Sequence, residues 1–217
     1  MLWSGEKDVQ DHLRREQAVA TAIREQEQGV LLLWWGGPPA VVVGNSQDIA
    51  REVNTEACQR HGVAILRRTS GGGAVLQTEG VLNYSLLFPD HGRLSVAEGF
   101  ACGTALIRRA LQRLSVVTMV RGVSDVTVGE RKISGNAIAR RSRIFLVHGT
   151  LLVDLDLDLV DACLKHPGRE PDYRQGRRHR DFLITLAAMG EFKRHVVAEA
   201  LETAGWELGN ILLFNGR

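Results

Sequence analysis

The sequence predicts an α+β fold, with mixed, largely antiparallel sheets packed against helices. Apolar runs of strand length, such as residues 30–35 and 82–88, lie among stretches with helical period. The two kinds do not alternate one for one, as they would around a parallel α/β sheet. The chain has 217 residues, 44% of them hydrophobic and 24% charged, which is the size and make-up of one ordinary domain.

Residues 8–28 read as an amphipathic helix, with Val9, Leu13, Ala20 and Ile23 on one face and Gly29 as its stop. Residues 30–35 form a buried-strand run closed by Gly36-Gly37-Pro38-Pro39, and 40–43 return as a second strand. The short turn between them predicts an antiparallel hairpin. A helix is expected over 47–60, strands over 63–66, 74–76 and 82–88, and a helix over about 95–114. Strands follow at 116–120, 125–128 and 144–156, with a short helix at 158–164. Residues 165–180, polar and rich in arginine, read as a long loop; helices at 181–189 and 191–204 and a strand near 208–214 complete the chain. No internal repeat or interdomain linker interrupts this order, so residues 1–217 are expected to form a single domain.

Composition excludes several functions. Lys and Arg number 27 against 25 Asp and Glu, a net charge of +2, too even for a dedicated nucleic-acid binder. No apolar run approaches the roughly 20 residues that span a membrane. The first seven residues lack a basic segment leading into an apolar one, so a cytoplasmic location is expected. Cys58, Cys102 and Cys163 are odd in number, widely spaced and match no metal motif; all three fall in segments read as helical, where an inert buried thiol is the default.

Four segments could carry chemistry. Ser70-Gly71-Gly72-Gly73 interrupts two strands, and glycine there serves either a flexible loop or the close approach of a backbone or ligand. Arg67 and Arg68 stand just before it, and arginine suits carboxylate and phosphate oxygens. The loop has neither the Gly-Lys-Ser/Thr of a P-loop nor dinucleotide-binding spacing. Next, residues 129–137 look like a hairpin turn that leads Lys132 back into a strand; its ammonium is either solvated or close to a bound anion. His148 lies in an apolar strand, as a satisfied core histidine or a ligand-facing one. Finally, residues 165–180 gather six Lys/Arg with His166 and His179: a solvated face, a nucleic-acid contact or a lid over phosphates. Tyr173 is the lone aromatic there, so base stacking is not indicated.

In order, Arg-Arg-Thr-Ser-Gly-Gly-Gly-Ala-Val, Leu-Asn-Tyr-Ser, Gly-Glu-Arg-Lys-Ile-Ser-Gly-Asn-Ala and His-Gly-Thr-Leu-Leu-Val-Asp resemble the lipoate–protein ligase family, over roughly residues 8 to 185. The resemblance implies a biotin/lipoate ligase-like catalytic domain. It implies that Arg68 and Ser70, Gly71, Gly72, Gly73, Ala74, Val75 and Leu76 form a lipoate-binding loop touching the adenylate. Lys132 would contact the acyl carbonyl and phosphate as the catalytic residue. Gly135, Ala137, His148, Gly149 and Thr150 would shape the same tunnel, with Asn83 and Asp125 as further binding positions and Asp125 the candidate metal ligand. Segment 165–180 would follow as an adenylate-binding loop.

The implied reaction uses ATP and Mg2+ to convert lipoate to lipoyl-AMP, then passes the acyl group to a lysine of a lipoyl-domain protein. The alternatives are an octanoyl or lipoyl transferase working without adenylation, and a silent lipoyl-binding protein. Octanoyltransferases of the superfamily hold the acyl group on a cysteine; the matching positions here are Phe145, or Val117 and its neighbours, and carry no sulfur. Two-domain ligases continue into a C-terminal domain that this chain is expected to lack, so a separate accessory-domain protein is expected to assist. No nucleic-acid or membrane partner is expected.

Overall fold

A computed structural model describes residues 2–3, 8–26, 28–90, 92 and 94–214, with backbone alone at 2–3 and 210–214. The leader-free reading of residues 1–7 falls largely outside them. Ten strands, β1 (Leu2–Trp3), β2 (Val30–Trp35), β3 (Ala40–Val43), β4 (Ala64–Arg67), β5 (Val75–Gln77), β6 (Val81–Pro89), β7 (Met119–Arg121), β8 (Asp125–Val128), β9 (Arg131–Arg141) and β10 (Ile144–Leu152), form two sheets among the described residues. Helices are α1 (Val9–Ala22), α2 (Ile49–Glu52), α3 (Thr55–Arg60), α4 (Val96–Arg113), α5 (Leu157–Cys163), α6 (His179–Phe182) and α7 (Arg194–Phe214).

The large sheet has the order β1-β2-β6-β10-β9-β8-β7, and the small one β4-β3-β5. Pairing is antiparallel except for β1 with β2 and β3 with β4. This is the predicted α+β architecture. β6 and β10 sit at the centre of the large sheet, which is why residues 81–87 and 144–147 are buried on both faces and read as unbroken apolar runs. Tyr84, Leu86, Phe145 and Val147 face α4 and α7 in the main core, whereas Leu32, Trp34, Leu87 and Leu146 pack with Val9, Ala40 and Val42 toward α1 and the small sheet. A third cluster joins Val41 and Val43 to α3 and α5. Helix starts follow their caps: Asp8 accepts from Asp11 N, Asp156 from two amides, and Ser95 with Glu98 forms a reciprocal box.

Several elements differ from expectation. β2 and β3 do not form a hairpin; residues 36–39 carry the chain from the large sheet to the small one, and β2 pairs with β6 instead. The Gly-Pro cluster marks a chain reversal but not which sheet receives the next strand. The helix expected over 47–60 splits at Val53 and Asn54, where Asn54 caps α3. The expected helix at 181–189 is only α6, and 191–204 becomes the longer α7, which absorbs the strand expected near 208–214. A short apolar run there fits strand and buried helix equally well. The strand at 116–120 begins only at Met119, while residues 131–141 form one of the longest strands. No described helix is long and apolar enough to cross a membrane.

Candidate functional site

A cleft of about 1020 Å3 opens among the two sheets and segment 165–180. Fourteen of the sixteen residues expected at the site line it: Arg68, Gly72, Gly73, Ala74, Val75, Leu76, Asn83, Asp125, Lys132, Gly135, Ala137, His148, Gly149 and Thr150. Ser70 and Gly71 do not; Ser70 is buried behind the loop and holds it from below.

The glycine loop is built around Arg68. Its Nε donates to Ser70 Oγ at 2.9 Å, its Nη1 to Val42 O at 3.1 Å, and its Nη2 to Gly71 O at 2.6 Å and Gly73 O at 2.9 Å. Arg67 donates through Nη1 to the carbonyls of Gly44, Asn45 and Gln47. Arg68 therefore spends most of its donors on backbone carbonyls, whereas Arg67 commits only Nη1 to them. Arg68 acts first as the clip that shapes the loop. Burial, only partly offset by Glu16, pulls its pKa down to about 10, so it stays charged at neutral pH. Only Gly72 in the triplet has positive φ, +90°, where a Cβ would be strained. A Cβ at Gly71 or Gly73 would meet nothing, so the chain's own packing does not demand glycine there.

Ser70 Oγ lies 2.6 Å from His148 Nε2, and His148 Nδ1 lies 2.8 Å from Glu16 Oε2. Ser85 Oγ donates to the same carboxylate oxygen. Burial pushes the Glu16 carboxyl up, but the charge and hydrogen bond of His148, the Ser85 bond and the Arg68 charge outweigh it, leaving Glu16 below its ordinary value. An ionised Glu16 accepts a hydrogen bond from the His148 Nδ1–H, while Ser70 Oγ bonds the opposite ring nitrogen. His148 is thus neither a plain core residue nor a free one: it couples α1 to the glycine loop. Glu16 escaped the sequence reading, although its signal is there. It sits seven residues from both Val9 and Ile23, on the buried stripe of α1, where a carboxylate needs a partner.

Asn83 exchanges two amide hydrogen bonds with Gln77, at 2.8 and 2.9 Å, which fixes both side chains in the cleft wall. Lys132 Nζ lies 2.7 Å from Asp125 Oδ1. A Cβ on Gly135 would fall 2.5 Å from that Nζ and 2.6 Å from Cε, so glycine leaves the corridor through which the lysine reaches the cleft. Asp125 Oδ2 accepts from Tyr173 OH at 2.8 Å, tying segment 165–180 to β8. The segment is less free than its composition implies. Arg174 is buried against Glu170 and the Phe182 ring, Arg178 pairs with Asp181, and Arg180 with Asp158. Among the described residues Arg169 is an exposed cation on the cleft wall without a salt-bridge partner.

None of the three cysteines lines the cleft. Burial and the neighbouring Cys58 push the Cys163 thiol up to about 12, and burial and Glu98 raise Cys102. Neither is poised as a thiolate nucleophile. Among the described residues no three His, Cys, Asp or Glu side chains gather as a metal cage. Asp125 offers a single carboxylate, with Lys132 Nζ on one oxygen and Tyr173 OH on the other, so it would add at most one ligand to a Mg2+ carried on substrate phosphates.

The fold is that of solved lipoate ligases. It superposes with TM-score 0.82 and 23% identity on a bipartite lipoate protein ligase from Thermoplasma acidophilum, covering 96% of this chain and 81% of that one. With a lipoate-protein ligase A bound to ATP the TM-score is 0.81 at 24% identity, over 96% and 83%. A T. acidophilum chain with bound lipoic acid gives 0.80 at 22%, over the same shares. Residues 8–204 match the lipoyl protein ligase A/B catalytic domain, and the chain belongs to that family. Among curated relatives, a putative lipoate-protein ligase A of Aeropyrum pernix is 44% identical over 115 residues, 53% of this chain and 43% of that protein. The lipoate-protein ligase LplJ of Bacillus subtilis is 33% identical over 178 residues, 78% of this chain and 52% of that protein. The chain thus spans about half the length of the curated relatives it matches.

Proposed function

We propose that this chain carries the catalytic site of a lipoate–protein ligase, which activates lipoate with ATP and passes the lipoyl group to a lysine of a lipoyl-domain protein. The observation that carries the reading is Lys132, held at the cleft by Asp125 in the corridor left by Gly135, opposite a glycine loop shaped by Arg68. The names of similar proteins, one of them holding ATP and another lipoic acid, support the substrates.

In the first step a carboxylate oxygen of lipoate attacks the α-phosphorus of ATP, and pyrophosphate leaves with the electron pair of the broken P–O bond. Negative charge grows on the phosphate oxygens, where Lys132 and loop amides stabilise it. In the second step the acceptor amine attacks the acyl carbonyl, AMP leaves, and the amine loses a proton. No enzyme nucleophile is needed, in keeping with the absence of a thiol from the cleft wall. Asp125 would add at most one ligand to Mg2+, and the ion would neutralise part of the triphosphate charge. Segment 165–180, latched by Tyr173, would screen the hydrolysable acyl-adenylate from water.

The test is lipoate-dependent exchange of pyrophosphate into ATP. The wild type is expected to catalyse it, and Lys132→Ala to lose about 100-fold or more while keeping its circular dichroism and melting transition. Unchanged exchange in the folded variant would remove Lys132 from the mechanism.

A further inference from the structure

Seven large apolar side chains are exposed among the described residues, and four of them fall within seven consecutive positions: Val117 at 85%, Met119 at 46%, Val120 at 42% and Val123 at 78%. The other three, Val96, Val196 and Trp206, lie on α4 and α7, and none lines the cleft. Met119 and Val120 belong to β7, the last strand of the large sheet, with Val117 just before it and Val123 just after it. β7 pairs with β8 on one side, and no described strand pairs with the other. An exposed apolar edge with open backbone groups is a template for another strand, and proteins normally blunt it with charge, proline or cover. β7 is short and ends in Arg121, which pairs with Glu130, but Val117, Met119 and Val120 leave an exposed apolar surface along it.

The edge also leads to the cleft. Beyond Arg121 the chain turns through Gly122 and Val123 into Ser124 and Asp125, and these last three line the cleft wall. The turn is anchored, since Ser124 Oγ donates to Asn136 O at 3.2 Å and Asn136 Nδ2 donates to Ser124 O at 2.6 Å. On its other side a Cβ at Gly122 would meet Pro171 and Tyr173 at 3.5 and 3.7 Å, so segment 165–180 borders the turn. That segment holds six Lys/Arg against Glu170 and Asp172, with Arg169 and Arg178 exposed.

We propose that β7 docks the acceptor protein, which adds an edge strand to it and so brings its lysine over the Val123 turn to the cleft. This rests on the acyl-transfer reading, since that reaction needs a protein amine at Asp125 and Lys132. A strand laid beside β7 runs one strand spacing, about 4.8 Å, outside it. Main-chain hydrogen bonds supply affinity, and Val117, Met119 and Val120 supply apolar contact. The basic segment at the end of the edge selects an acceptor with acidic side chains around its lysine. So short an edge makes a small interface, which suits a substrate that must leave after modification.

The test uses the full chain, an apo lipoyl domain and supplied lipoyl-AMP. Val117→Asp and Val120→Asp lie outside the cleft wall and are expected to raise the acceptor KM about tenfold, with unchanged kcat and lipoyl-AMP affinity. Amide hydrogen exchange at 117–121 is expected to slow when the apo domain is added. An unchanged KM together with unprotected amides would overturn the proposal. So would a wild-type dimer in sedimentation that the aspartates dissociate without changing the acceptor KM, because the edge would then serve a second copy. Protection by the apo domain without any lipoyl transfer would defeat the ligase reading and leave the docking site standing.

Discussion

Replacing Glu16 by Gln keeps the shape of the side chain and removes its charge from a buried network. In the wild type one carboxylate oxygen accepts from His148 Nδ1 and from Ser85 Oγ, with Arg68 close enough to stabilise it. A hydrogen bond to an ionised group contributes about 1.5–3 kcal/mol, and a neutral one about 1. Loss of charge assistance in two bonds therefore costs about 2–3 kcal/mol, a sizeable part of the roughly 5–15 kcal/mol that holds a domain together. For a chain of this length that lowers Tm by about 4–12 °C. Urea unfolding at constant m value measures it. The pH dependence follows from the depressed carboxyl pKa: the contribution is complete above the ordinary value of 4.5 and disappears as pH falls through the lower folded value. The gap between wild type and E16Q should be full at pH 7 and close on strong acidification. A gap under about 0.5 kcal/mol at pH 7, or one that persists undiminished below the folded carboxyl pKa, would refute the reasoning.

Gly135→Ala places a Cβ on Lys132 Nζ and Cε, which are the far end of a flexible chain. Stability should change by less than about 1 kcal/mol while the displaced ammonium costs about 100-fold in kcat, read from steady-state kinetics beside a melting curve. Tyr173→Phe removes the hydroxyl that donates to Asp125. It should cost about 1 kcal/mol and speed proteolytic cleavage within 165–178, with a raised KM for ATP; unaltered cleavage would show that the latch is not closed by this bond.

The central strands were legible because burial on both faces turns a strand into an apolar run, as in residues 144–147. The glycine triplet and Lys132 were legible because their residue types are costly or unusual in a strand context. Pairing was not: Gly36-Gly37-Pro38-Pro39 signals a reversal equally well within a sheet and between sheets. The carbonyl contacts of Arg67 and Arg68 were not legible, because a guanidinium suits backbone carbonyls as well as anions and only the fold brings Val42, Gly44 and Gly71 within reach. Glu16 and His148 are 132 residues apart. The buried stripe of α1 shows that Glu16 needs a partner, but nothing local says which.

The central claim is ATP-dependent acyl transfer without a covalent enzyme intermediate. Incubation with lipoate, ATP-Mg2+ and an apo lipoyl domain, reading AMP release and acceptor mass together, tests it most directly. The account predicts one AMP for each lipoyl group gained by the acceptor and no acyl adduct on Cys58, Cys102 or Cys163. Acceptor modification from an acyl carrier protein in the absence of ATP, with an acyl thioester on the enzyme, would contradict it.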